Sequence, residues 1–193
     1  MRTISVAQFD DETQRTFPGV PDGTLHIDVA GQRFFRGSMS ENPADTLALM
    51  QQIVDRYAFD DYVRQSALRI LRKGDVRKPE GIVRALAGFV RDRMRYVKDP
   101  VNAEHLTTPD RLLADIWGKG WAYGDCDDHV VLLATLLTSV GVNNHALAVK
   151  LNADYFNHVI NAAFVGGRWI DIDTCYKDRI PPDYRDRMVL RQG

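Results

Sequence analysis

The chain reads as an α+β protein with a helical N-terminal half, a central helix and an antiparallel sheet. Three observations predict this. Apolar residues recur at helical spacing between Pro43 and Tyr96. A small polar loop then runs into the apolar series Val130, Leu133, Ala134 and Leu137, again with a 3.6-residue period. Finally, two runs rich in Val, Ile, Phe and Trp flank the pair Gly166-Gly167, the composition that a two-residue primed hairpin turn requires.

In chain order, the first forty residues read as short strands. These are Thr3 to Phe9, Leu25 to Val29 and Gln32 to Phe35, the last two joined by a tight Ala30-Gly31 turn, with a Pro- and Gly-rich loop at Phe17 to Gly23. The spacing divides the chain into a small β element over 1–40 and a larger domain over 41–193. Pro43 opens a helix to Tyr57, and a second runs from Asp61 to Arg72 and stops before Gly74. A third is predicted from Pro79 to Tyr96, burying Ile82, Val83, Leu86, Phe89, Val90 and Met94. Its Arg84, Arg91, Arg93 and Arg95 read as a solvated face, because acidic residues interleave with them. Asp99 to Thr108 reads as a loop, and Thr108-Pro109-Asp110 opens a fourth helix to Trp117. A glycine-rich connection, G-K-G-W-A-Y-G, follows. After the central helix come a strand from His145 to Leu151, the hairpin, Pro181-Pro182, and a charged tail that reads as a last edge strand or a loose end.

Chemistry concentrates at two places. In G-D-C-D-D-H, Asp125 is a natural N-cap, so Cys126 begins the central helix, where unpaired N–H groups and the dipole favour a thiolate. Asp125, Asp127 and Asp128 repel that thiolate, so a cationic partner must come from elsewhere. A two-residue turn sets Val165 opposite Arg168, Phe164 opposite Trp169, Ala162 opposite Asp171, Ile160 opposite Asp173 and His158 opposite Cys175. Asp173 is then a diagonal neighbour of His158, roughly 5.5 to 7 Å away at the backbone, and orients it better than Asp171 does. Cys126, His158 and Asp173 form a nucleophile, a base and an orienter.

The blocks G-D-C-D-D with a Leu-rich helix, H-V, and R-W-I-D-I-D-T resemble the motifs of the transglutaminase-like superfamily of papain-related cysteine enzymes, over about Thr107 to Thr174. The resemblance implies a papain-like core in which Cys126 matches the nucleophile, His158 the general base and Asp173 the third member. It also implies that Trp121 and Tyr123 wall the acyl site or help an oxyanion hole, where the residues alone equally predict core covering. The chain departs from many relatives in carrying Val159-Ile160-Asn161 after the histidine and Thr174 after the aspartate. The expected activity is acyl transfer on an amide or peptide bond through a thioester, with no cofactor. Hydrolysis comes first because microbial members are commonly protease-like; an amine-crosslinking enzyme and a non-enzymatic binding or assembly module are the alternatives. Similar compact proteins occur among phage and prophage proteins, which implies a virion or wall polymer as substrate and a virion-associated place if phage encoded.

Composition narrows the partners. A net charge of −1 across 193 residues gives no field to attract nucleic acid or anionic lipid, so a protein or peptide substrate is expected. Two widely separated cysteines are no disulfide framework, and M-R-T-I-S-V-A-Q-F lacks an apolar leader, so a reducing cytoplasm is expected. A metal site drawn from Cys126, His129, Asp125, Asp128, His158 or Cys175 is the weaker reading, since no second close pair of ligands accompanies Cys126 and His129. His129 reads as a polar helix residue, because it projects beside the cysteine on the same helix. Cys175 reads as a core thiol behind the site, with a redox partnership to Cys126 as its alternative.

Overall fold

The structure, a computed structural model, describes residues 26–27, 32–35, 43–74, 76–99, 104–176 and 187–189. The helices among them are α1 (Pro43–Tyr57), α2 (Asp61–Lys73), α3 (Pro79–Arg93), α4 (Pro109–Lys119) and α5 (Cys126–Ser139). Each start has a local cause. Asp60 caps α2 by accepting from the Tyr62 N–H at 2.9 Å and the Val63 N–H at 3.1 Å. Pro79 and Pro109 occupy first-turn positions of α3 and α4, where the missing N–H costs nothing. α4 runs past the predicted Trp117 to Lys119 and stops at Gly120, whose φ of 94° favours glycine.

α5 is the centre of the molecule. It is buried on nearly every side, and a helix apolar all round can only be core. α1, α2 and α3 pack on it from one side and the sheet from the other. Leu132, Leu133, Leu136 and Leu137 have essentially no exposed surface, so truncating one of them to alanine would cost about 2–5 kcal/mol. The helix ends in a Schellman arrangement: Gly141, at φ 79°, donates to the Thr138 carbonyl at 3.0 Å, and Val142 donates to Leu137 at 3.0 Å.

The main sheet contains β6 (Asn144–Val149), β7 (His158–Val165), β8 (Arg168–Ile172) and β9 (Arg187–Val189), in the order β8-β7-β6-β9 and antiparallel throughout. Gly166 and Gly167 both have positive φ, 60° and 78°, as a type I′ turn demands. The predicted pairs Val165–Arg168, Phe164–Trp169 and Ala162–Asp171 are present. The ladder stops at Asn161–Ile172, however, so Ile160–Asp173 and His158–Cys175 are not ladder partners. Ile160 and His158 instead face Leu147 and Val149 of β6. β9 fulfils the edge-strand reading of the tail.

Three other expectations change. The third helix ends at Arg93, and Met94–Tyr96 form β3, parallel to β5 (Ala122–Gly124) inside the predicted glycine-rich connection. Met94 is buried and follows Leu86 and Val90 at i+4 spacing, so its burial mimics one more helical turn. The predicted loop over Asp99 to Thr108 contains β4 (Glu104–Thr107), which pairs with β2 (Gln32–Phe35); β2 pairs in turn with β1 (His26–Ile27). A two-residue Ala30-Gly31 turn would set Ile27 against Phe34, whereas Ile27 faces Arg33 and His26 faces Phe34. The predicted strand at Thr3 to Phe9, the Phe17 to Gly23 loop and Pro181-Pro182 lie outside the described residues. Among the described residues no helix is long and apolar enough to cross a membrane.

Several basic side chains are used in packing. Arg69 stacks 4.1 Å from the Trp117 ring centroid while the Trp117 Nε1–H donates to Ser66 at 3.0 Å, tying α2 to α4. Arg93 donates to the Gly120 carbonyl at 3.2 Å, and Arg95 lies 4.0 Å over Trp121.

Candidate active site

Cys126 is the first residue of α5 and only 7% exposed. The Asp125 carboxylate caps the helix by accepting from the Asp127 N–H at 3.3 Å, and the Asp127 carboxylate accepts from the Asp128 N–H at 2.7 Å. The thiol therefore sits in the first turn of α5, at the positive end of the helix dipole. Cys126 packs with Val130, Val131, Ala148 and Val159 in one apolar cluster, with Phe156 and Cys175 against it.

Asp128 supports this turn from below. It is buried, and its Oδ1 accepts from the Thr107 N–H at 2.7 Å, joining the end of β4 to the start of α5. Burial, with Asp125 nearby, pushes its carboxyl well above the usual range, while the Thr107 N–H pulls it down. A Cβ at position 124 would collide with the Asp128 side chain, so Gly124 is required by this close approach. One oxygen from each of Asp125, Asp127 and Asp128 lies within 4.8 Å of the others.

His158 begins β7, and its Nε2 lies 2.8 Å from Asp173 Oδ2, with both side chains almost wholly buried. Asp173 lies one residue beyond β8. Its second oxygen accepts the Cys175 N–H at 2.9 Å, so the segment folds back on its own carboxylate. His129, read from sequence as a plain polar helix residue, is buried. Its Nδ1 is 3.1 Å from Thr174 Oγ1, so the first turn of α5 is linked to the segment that carries Asp173.

Cys175 is common to both neighbourhoods. It packs against the cluster containing Cys126, and one donor atom each from His158, Asp173 and Cys175 lie within 4.8 Å of one another. Burial pushes its thiol far above the ordinary range, helped by the charges of Asp173, Cys126 and Asp125 and by a thiol hydrogen bond to Asp173. No disulfide joins it to Cys126.

The sequence reading missed Tyr96. Set in the third helix there, it lies on β3 opposite Gly124, its ring 6.4 Å from that of His129. Partial burial raises its hydroxyl pKa strongly, with Cys126, Asp125, Cys175 and Tyr176 adding to the effect, so this phenol belongs to the Cys126 surroundings. The two-residue period of β3 is too short to stand out beside a helix. Trp121 and Tyr123 flank buried Ala122 and are themselves 37% and 56% exposed.

No known sequence family matches the chain, and no curated protein matches it in sequence. Two solved structures are similar. One is a candidate cysteine protease from Cytophaga hutchinsonii, at 15% identity and a TM-score of 0.49, covering 75% of this chain and 49% of the other. The second is a candidate protease from Parabacteroides distasonis, at 16% identity and a TM-score of 0.47, covering 67% of this chain and 26% of that one. The chain thus spans about half the length of the first and about a quarter of the second. Likenesses at this level leave the site to be argued from its own residues.

Proposed function

We propose that the protein is a cysteine-dependent acyl-transfer enzyme of the transglutaminase-like type, hydrolysing a peptide or other amide bond. The observation that carries this reading is the buried 2.8 Å contact of His158 Nε2 with Asp173 Oδ2, on a segment that also packs against Cys126 at a helix N-terminus. With Nε2–H given to the carboxylate, the ring's lone pair falls on Nδ1, the nitrogen available to take a thiol proton.

The Cys126 thiolate attacks the carbonyl carbon, and the resulting oxyanion takes a hydrogen bond from the Cys126 backbone N–H, with Trp121, Tyr123 and Tyr96 as walls. His158 as imidazolium protonates the leaving amine, leaving a thioester on Cys126. As neutral imidazole it then takes a proton from water, and hydroxide attack releases the acid and restores the thiolate. Asp173 holds the ring orientation throughout.

The test is to incubate the parent protein and Cys126→Ala with cell lysate, quench in acid and identify any attached fragment by mass spectrometry. A thioester adduct on Cys126 supports hydrolysis or amine transfer, and an added amine that speeds its loss marks crosslinking. A parent protein carrying no adduct while binding partners equally well as Cys126→Ala supports the assembly-module reading.

A further inference from the structure

We propose that His158, Asp173 and Cys175 together form a reversible binding site for a soft divalent cation of the zinc type, and that its occupancy switches the centre off. The three supply an imidazole nitrogen, a carboxylate oxygen and a sulfur, the donor set that zinc prefers. Their donor atoms lie within 4.8 Å of one another. Donors on a tetrahedral zinc ion, at bond lengths of about 2.0–2.3 Å, sit roughly 3.3–3.7 Å apart, so side-chain movements of an ångström or so complete the site.

The ligands also come from a braced frame. The Cys175 N–H is bonded to Asp173 at 2.9 Å, and Thr174 between them is held by His129 at 3.1 Å. This set is not the Cys126 and His129 pair weighed from sequence. His129 belongs to the bracing, and the third ligand is the cysteine that the proposed reaction leaves unused.

Proton balance explains the switching. The cation takes the Cys175 sulfur as thiolate, and that proton leaves to solvent. Nε2, the ring nitrogen beside Asp173, must offer its lone pair to the metal, so its proton passes to Nδ1. The imidazole then has no lone pair left for a thiol proton. Three protein ligands leave a fourth position for water.

The test needs no turnover. Cys126→Ala keeps all three ligands and leaves Cys175 as the sole cysteine. Titrated with cobalt(II), a spectroscopic stand-in for zinc, it should develop thiolate-to-metal charge-transfer absorption that added zinc abolishes. The double variant Cys126→Ala with Cys175→Ser should show none. In the Cys126-containing parent, zinc should slow alkylation of Cys126, and Cys175→Ser should need about tenfold more zinc or beyond for the same effect. Absence of a thiolate band in Cys126→Ala overturns the proposal, as does a band surviving Cys175→Ser or equal zinc sensitivity of parent and Cys175→Ser. The cobalt spectra do not depend on the protein being a hydrolase, whereas the alkylation arm rests on the proposed pairing of His158 with Cys126.

Discussion

Asp173 Oδ2 lies 2.8 Å from His158 Nε2, although Asp173 has already left the sheet and His158 is the first residue of its strand. The pair is made at the sheet's rim. Asp171, two residues earlier, faces Ala162 and lies near His145 instead. The first prediction follows. Asp173→Asn should keep the fold and lower turnover by about a hundredfold or more, because an amide whose oxygen stays on the Cys175 N–H turns its NH2 donor toward Nε2 and favours the wrong imidazole tautomer. Asp171→Asn should change turnover little. Steady-state rates of the two variants decide it, and the reverse order would move the orienting role to Asp171.

Alkylation should separate the two cysteines. Cys175 is held protonated at neutral pH by burial and by neighbouring Asp173, whereas Cys126 heads a helix. Iodoacetamide near pH 7 should therefore label Cys126 at least about tenfold faster than Cys175, and His158→Ala should slow that labelling. Peptide mapping after timed quenching reads both rates. Equal rates that ignore His158→Ala would favour a scaffold without a reactive centre.

Asp128 gives the fold a pH dependence with a definite sign. Its folded pKa is raised by burial, so its stabilising contribution is complete below the ordinary carboxylate range, near ~3.9, and is lost as pH rises through the raised value. Asp128→Asn keeps the acceptor for the Thr107 N–H and cannot ionise. Melting curves between about pH 5 and pH 8 should be flatter for the variant than for the parent, with the variant melting no earlier at pH 8. Identical slopes would show that Asp128 carries none of this dependence.

Gly124 should resist even the smallest side chain. A methyl group there meets the Asp128 carboxylate and its Cβ, which cannot retreat within the buried first turn of α5. Gly124→Ala should cost about 1–3 kcal/mol in denaturant unfolding, whereas Gly118→Ala, with nothing within 4 Å of the added atom, should cost no such packing penalty. Comparable losses at both positions would contradict the close approach.

The extent to which this site was legible in the sequence depended on whether a local rule reached it. Asp125 as cap, the Val130 to Leu137 series and the Gly166-Gly167 turn are local signals, and they located Cys126 at its helix start and set the hairpin register. The register then carried Asp173 to His158 even though the ladder ended one residue short of it. What stayed hidden depended on long-range contact. The parallel pairing of β3 with β5 brings Tyr96 beside Gly124, and Met94 satisfies a helical pattern as readily as a buried strand. His129 illustrates the same limit, because its partner Thr174 lies far along the chain and no spacing rule connects them.

The central claim is that Cys126 carries the acyl group, and Cys126→Ala tests it most directly when its melting temperature and turnover are measured side by side. The thiol is small, so its removal should leave the melting temperature nearly unchanged, within the few degrees that about 1 kcal/mol represents, while turnover of a peptide or amide substrate vanishes. A Cys126→Ala protein that melts much earlier and keeps its activity would contradict the account.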